Sequence, residues 1–237
     1  MIKKTSTFRS GALFILGLNS VTSNAQQLNQ DFQTWGNITT ILSLGKFNSD
    51  SDNIKLWLEG QGRFGQDSSQ FSQGILRTGL GYYFRDNISL WQGYAWIPNN
   101  PPAPRSNFDE QRIWQQLLWT EKFSDGIFMS RTRLEQRFDD RGDDVGWRFR
   151  QFFKYQHPFS VAPKLSGVIW DEVFVVINKT DWNPDNGFDQ NRVFVGLGYQ
   201  FNQNIRSEVG YINQYIRNTS TTDAMNHILS VNLFLNY

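Results

Sequence analysis

The sequence predicts an all-β fold, a transmembrane antiparallel up-and-down β-barrel of about ten to twelve strands, and three observations carry that reading. Along most of the chain, segments of roughly ten to fourteen residues alternate apolar and polar side chains, the period of a strand with two unlike faces. The 237 residues include 9 Trp, 8 Tyr and 20 Phe, yet only 39% are hydrophobic and the mean hydropathy is -0.51. Rings in excess of aliphatic bulk suit the interfacial girdles of a membrane barrel better than a soluble core. Finally, the first residues read as an export signal.

That signal has three parts. Lys3, Lys4 and Arg9 supply a basic start, Gly11 to Leu18 an apolar run, and Ser23-Asn24-Ala25 a small-x-small cleavage site before Gln26. The apolar run falls far short of the ~20 residues needed to cross a bilayer as a helix. The chain therefore divides into a cleaved signal peptide, 1–25, and one barrel domain, 26–237. Losing Lys3, Lys4 and Arg9 takes the formal charge from +1 to -2. A charge so near zero disfavours a nucleic-acid partner. No Cys and two His leave no thiolate chemistry and little material for a metal site, so no cofactor is expected.

The strands follow in order. In 54–64, Leu56, Leu58 and Phe64 share one face while Lys55, Glu59, Gln61 and Arg63 share the other. The pattern recurs at 72–85, 87–97, 109–122, 126–138, 145–157, 163–177, 188–201, 204–217 and 225–237. These segments are about twice the usual length of soluble strands, and they match the nine to eleven residues that a tilted strand needs to cross a bilayer. Turn chemistry separates them, as in Arg85-Asp86-Asn87, Ser124-Asp125-Gly126 and Phe201-Asn202-Gln203-Asn204. If the last strand descends to the periplasm, short links at 85–87, 123–126, 157–163 and 201–204 lie there and the longer ones lie outside. Phe32 to Leu44 also reads as a strand and would be an eleventh. Because bacterial single-chain barrels have an even count, twelve strands are favoured slightly over ten.

The last strand alternates Leu229, Val231, Leu233, Leu235 and Tyr237 with mostly polar residues. Leu233, Leu235 and the terminal aromatic Tyr237 form the expected assembly signal, similar to the terminal strand read by the barrel-assembly machinery. Expected partners are that machinery, periplasmic chaperones, and outer-membrane lipid with its lipopolysaccharide; the expected address is the outer membrane of a Gram-negative bacterium.

The polar face carries dense charge of both signs. Glu59, Arg63, Arg77, Glu110, Arg112, Arg131, Arg133, Glu135, Arg137, Arg148, Arg150, Glu172, Arg192 and Glu208 fall on the predicted lumen face, where neighbouring strands would join them in ion-pair ladders. Such ladders fill and stiffen a narrow barrel, and that is the expected role; the alternative is a small pore whose Arg excess prefers anions. A lipid-acting hydrolase would need a base beside a nucleophile. His157 precedes Pro158 in a predicted turn, and His227 and Ser230, three apart on a strand, face opposite ways. No catalytic residue is therefore assigned. Asp139, Asp140, Asp143 and Asp144, and likewise Asp181, Asp185 and Asp189, are acidic loop clusters without the spacing of a calcium loop.

Leu56-Trp57-Leu58-Glu59-Gly60-Gln61-Gly62-Arg63-Phe64, Leu90 to Trp96, Asp109 to Gln116, Arg131 to Arg137, Arg148-Phe149-Arg150, Asp171 to Phe174, Phe188 to Arg192 and Glu208 to Gln214 together resemble an uncharacterised family of Gram-negative outer-membrane proteins, a domain-of-unknown-function family. The resemblance covers nearly the whole mature chain and implies a barrel in the outer membrane. Gln111 stands where the resemblance would place a His before Arg112, so any His-dependent chemistry of relatives is not implied here.

Overall fold

The computed structural model describes residues 28–46, 51–219 and 222–237, so the predicted signal peptide lies outside the described residues. Eleven strands form the fold: β1 Asn29–Ser43, β2 Ile54–Gly65, β3 Gln70–Arg85, β4 Ile88–Asn99, β5 Phe108–Lys122, β6 Ile127–Asp139, β7 Val145–Phe159, β8 Ala162–Val176, β9 Gly187–Gln200, β10 Ile205–Ile216 and β11 Ala224–Asn236. Each pairs with its sequence neighbours, and β1 meets β11 to close the barrel, so no edge is left exposed to recruit another strand.

The count corrects the preference for twelve. A ring of purely antiparallel strands closes only with an even number, whereas here β1 runs in the same direction as β11 and the seam between them is parallel, from Asn29↔Ala224 to Ile41↔Asn236. The predicted eleventh segment, Phe32 to Leu44, is that closing strand. The chain terminus completes the seam: the Tyr237 N–H donates to the Ile41 carbonyl at 2.8 Å and the Ser43 N–H to the Tyr237 carbonyl at 2.6 Å.

Short turns at 86–87, 123–126, 160–161 and 201–204 gather at one end together with Tyr237 and the β1–β2 connection, which opens with a 3₁₀ turn, Leu44–Lys46. The longer connections 100–107, 140–144, 177–186 and 217–223 gather at the other end, with the tight 66–69 turn whose Gln66, Asp67 and Ser68 all have positive φ.

The outer wall is what a bilayer requires. Tyr82, Phe84, Trp119, Phe123, Tyr199 and Phe201 stand exposed near the short-turn end, and Phe64, Phe71, Trp96, Phe138, Trp147 and Phe188 near the loop end. Between these two aromatic girdles lie exposed aliphatics such as Leu76, Leu80, Ile169, Val195, Leu197 and Val231. The polar side chains within that band satisfy one another. Gln115 bonds to both Gln92 and Gln136, and Thr132 donates to Gln151 at 2.7 Å, as groups in an apolar setting must.

Inside, the barrel is part ionic and part aromatic. Trp35, Val168, Phe194, Ile212 and Ile228 make one buried cluster; Ile75, Trp91, Ala95, Ile97 and Trp114 make another. Room for the largest ring comes from a glycine pair: Gly79 and Gly93 face each other across β3 and β4, and a Cβ on Gly93 would lie 2.2 Å from the Trp114 ring and 2.3 Å from the Thr78 carbonyl oxygen.

Candidate functional site: the charged lumen

Period two places most charged residues of β2, β3 and β5 to β10 on the inner wall, the fourteen predicted network residues among them, while Asp171 of β8 faces outward and is held by Asn191. The network residues form linked centres rather than one ladder. Glu135, 1% exposed, is the hub. Its Oε2 accepts from Arg148 Nη2 at 2.7 Å and its Oε1 from Arg150 Nη1 at 2.6 Å, with Arg112 and Arg133 at 3.8 Å. Arg150 also reaches Glu172 at 2.7 Å, as does Arg131. Toward the loop end, Glu110 accepts from both Arg112 and Arg137. On the paired strands β2 and β3, Arg77 donates to the facing Glu59 at 2.6 Å, and nearer the short turns Glu208 takes Lys154 and Arg206. At Glu110, Glu135 and Glu172, two or more guanidiniums per carboxylate give strong, oriented, charge-assisted bonds.

Arg133 departs from the expected pattern. Its closest partner is the Gln116 amide oxygen, at 2.6 and 2.9 Å, and its guanidinium lies over the Trp114 ring at 4.7 Å. Arg63 and Arg192 differ more. Among the described residues neither has a carboxylate within ion-pair reach. Arg63 donates to Gln61 and Gln73, Arg192 to Gln190, and both guanidiniums lie over the Trp35 ring, at 3.8 and 4.9 Å.

The expectation of a filled lumen is met only along one wall. Beside the Glu135 centre a cavity of about 900 Å³ remains. Its walls include Ser43, Tyr83 and Asn236 near the short turns and Asn99, Asp189 and Trp182 near the loops. Twelve Lys and Arg line it against five Asp and Glu, so the space is electropositive. The lumen also takes charged side chains outside the fourteen: Lys55, over the Tyr83 ring at 4.1 Å, Asp189, 3.4 Å from Arg148, and Lys154 and Arg206 at Glu208. Five rings, Trp35, Trp57, Trp91, Trp114 and Trp170, also point inward, against the expectation that the lumen face is polar.

The loop-end rim is set by a latch between two connections. Asp181 accepts the backbone N–H groups of Asp143 at 2.8 Å and Asp144 at 3.3 Å, and the Trp182 indole donates to the Asp144 carbonyl at 2.7 Å. Gly142 permits the approach, since a Cβ there would meet Asp181 at 2.4 Å. The N–H donors, Asp143 first, hold the Asp181 carboxyl below the usual carboxylate range. A depressed carboxyl contributes stability that is full above its unfolded value and lost as pH falls through the folded one. The latch should therefore hold at neutral pH and open in acid below the ordinary carboxylate range. Asp181→Ala should release it at neutral pH, read as several-fold faster tryptic cleavage after Arg141 in the detergent-folded barrel; an unchanged rate would remove the latch from the account.

Of the acidic loop residues, Asp139 is taken by Arg141 at 2.7 Å, and among the described residues no three His, Cys, Asp or Glu side chains are grouped to hold a metal. His157 is exposed and packs edge-on to Phe159; His227 points outward onto the Tyr211 hydroxyl at 2.5 Å, while Ser230 is buried in the lumen. Leu233 and Leu235, expected from sequence to belong to an assembly signal, pair with Ile38 and Thr40 of β1 across the parallel seam, and the Tyr237 ring stands at the short-turn rim beneath the Lys46 ammonium, 5.5 Å away.

Residues 32–226 match the family described as "Protein of unknown function (DUF2490)". The chain is 37% identical over 214 residues to an uncharacterized protein of Methylorubrum extorquens, covering 88% of this chain and 89% of that one. Among solved structures it is similar to OmpT of Vibrio cholerae, an outer membrane protein: the in-vitro folded trimer form gives 12% identity and a TM-score of 0.40 over 75% of this chain and 60% of that one, and the outer-membrane expressed form gives 12% and 0.40 over 77% and 62%. The chain thus spans about three fifths of the length of those structures.

Proposed function

The chain belongs to the DUF2490 family, and from the geometry of its lumen we propose that it is a narrow outer-membrane pore that prefers small anions. One observation carries the reading: a cavity of about 900 Å³, walled by residues from both rims, lined by twelve cations and five carboxylates. Spread over a hydrocarbon thickness of ~30 Å, that volume leaves a mean cross-section of about 30 Å², room for water and small solutes but not for bulky ones. An electropositive lining of fixed guanidiniums in a confined space raises the local concentration of anions and repels cations. Two aromatic girdles and an apolar band between them support placement across a bilayer, and the predicted signal peptide and terminal aromatic support the outer membrane as its site, reached through the barrel-assembly machinery.

Proteoliposomes test the transport part directly. Vesicles carrying the refolded barrel should swell in isotonic salts of small organic anions, provided a freely permeant cation carrier balances the charge, and stay inert in isotonic oligosaccharide. Swelling that is equal to that of protein-free vesicles in every solute would refute a pore.

A further inference from the structure

Every acidic side chain that faces the cavity is already engaged by one or more cations, but the cations outnumber them, and Lys55, Arg63 and Arg192 have no carboxylate within ion-pair reach among the described residues. Arg63 on β2 and Arg192 on β9 come to opposite sides of the barrel seam and meet at one ring, Trp35 on β1, itself 4% exposed. Their guanidinium carbons lie 3.8 and 4.9 Å from the ring centroid, and Arg192 also stands 4.6 Å from the Phe174 ring. Neutral amides, Gln61, Gln73 and Gln190, fix the two forks. Arg63 is held through Nε and Nη1, which leaves its Nη2 donors unused, and Arg192 is held through Nη2 by Gln190 and through Nε and Nη2 by the Gln214 amide oxygen, which leaves its Nη1 donors unused.

A buried guanidinium without a counter-charge is costly unless an anion completes it. Here Arg192, 8% exposed, and the half-buried Arg63 are oriented by amides, backed by aromatic faces, and open onto the cavity. Arg presents paired N–H donors that match the two oxygens of a carboxylate or phosphate. The partly exposed Trp170 ring, which also lines the cavity, can cover a carbon skeleton.

We infer that Arg63 and Arg192, stacked on Trp35, form a binding subsite inside the lumen for the oxyanion group, carboxylate or phosphate, of a small water-soluble organic solute. The assignment rests on the reading of the lumen as an open electropositive cavity, but it concerns equilibrium binding at one place rather than passage.

The test is titration calorimetry on the full barrel refolded in a zwitterionic detergent, with glucuronate, glucose 6-phosphate and glucose as matched probes. The first two carry the two oxyanions and the third carries none. One or both anionic probes should bind while glucose does not, and the pair separates the carboxylate source from the phosphate source. Arg63→Gln and Arg192→Gln should each weaken that binding about tenfold, the scale of one lost hydrogen bond to a charged group. Since each removes an uncompensated charge, both variants should keep the heat-dependent gel shift of the folded barrel. Arg192→Lys, which keeps the charge and loses the fork, should also bind more weakly than the unmodified protein. Glucose binding as well as the anions, no binding of either anion, or unaltered affinity in both Gln variants would overturn the subsite. A barrel that conducts anions but binds neither probe overturns the subsite alone; one that binds them but passes no current overturns the pore alone.

Discussion

Replacing Glu135 with Gln should destabilise the folded barrel by about 3–5 kcal/mol, the cost of breaking a buried ionic centre from one side. The substitution keeps the shape and removes the charge at a site 1% exposed. Arg148 and Arg150 would lose carboxylate partners at 2.7 and 2.6 Å, and Arg112 and Arg133, at 3.8 Å, would lose their share of the same field. The amide would also turn an N–H₂ toward guanidinium donors, where no acceptor is available. The measurement is the denaturant midpoint of the detergent-folded protein. The double variant Glu135→Gln/Arg150→Gln should recover part of the loss, because the second change removes one of the stranded cations. A midpoint unchanged in the single variant would mean that the cluster is solvated and contributes little.

Gly93→Val is expected to have an effect of similar size by a different route. Gly93 faces Gly79 across β3 and β4, and the Trp114 indole fills the slot between them. A Cβ would come within 2.2 Å of that ring and 2.3 Å of the Thr78 carbonyl. The second contact is with backbone inside a closed ladder, so it cannot be relieved by a rotamer change. Overpacking ordinarily costs about 1–3 kcal/mol; with a main-chain atom in the way, the loss should be at or above that range. The folded, heat-shifting fraction after refolding should fall sharply, while Gly60→Ala, whose Cβ would meet only Leu76 at 3.9 Å, should leave it unchanged.

The strands were legible because each repeats one physical demand, apolar toward lipid and polar toward the lumen, and their ends fall within a few residues of the predicted ones. Closure was not legible. Nothing in the alternation of Phe32 to Leu44 says which way that strand runs, and only its pairing with β11 shows that eleven strands close through a parallel seam. The inner charges were legible by the same period of two, whereas their partners were not. That Glu135 gathers four arginines from β5, β6 and β7, or that Arg63 and Arg192 gather no carboxylate, depends on strand register and side-chain direction that sequence spacing does not encode. The inward tryptophans were hidden for a related reason. Trp91 and Trp114 occupy positions of the polar register and read as exceptions until the glycines opposite them appear as the space they fill. The latch between 140–144 and 177–186 joins residues far apart in the chain, so the aspartates there looked like isolated acidic loops.

The most direct measurement is the current through single barrels in a planar lipid bilayer under a potassium chloride gradient. An electropositive open lumen predicts clear, small, steady conductance steps and a reversal potential of the sign set by chloride. That potential should move toward zero when Arg63→Gln and Arg192→Gln are combined, since these cations have no carboxylate to offset them. A silent bilayer containing correctly folded protein, or a reversal potential of the sign set by potassium, would contradict it.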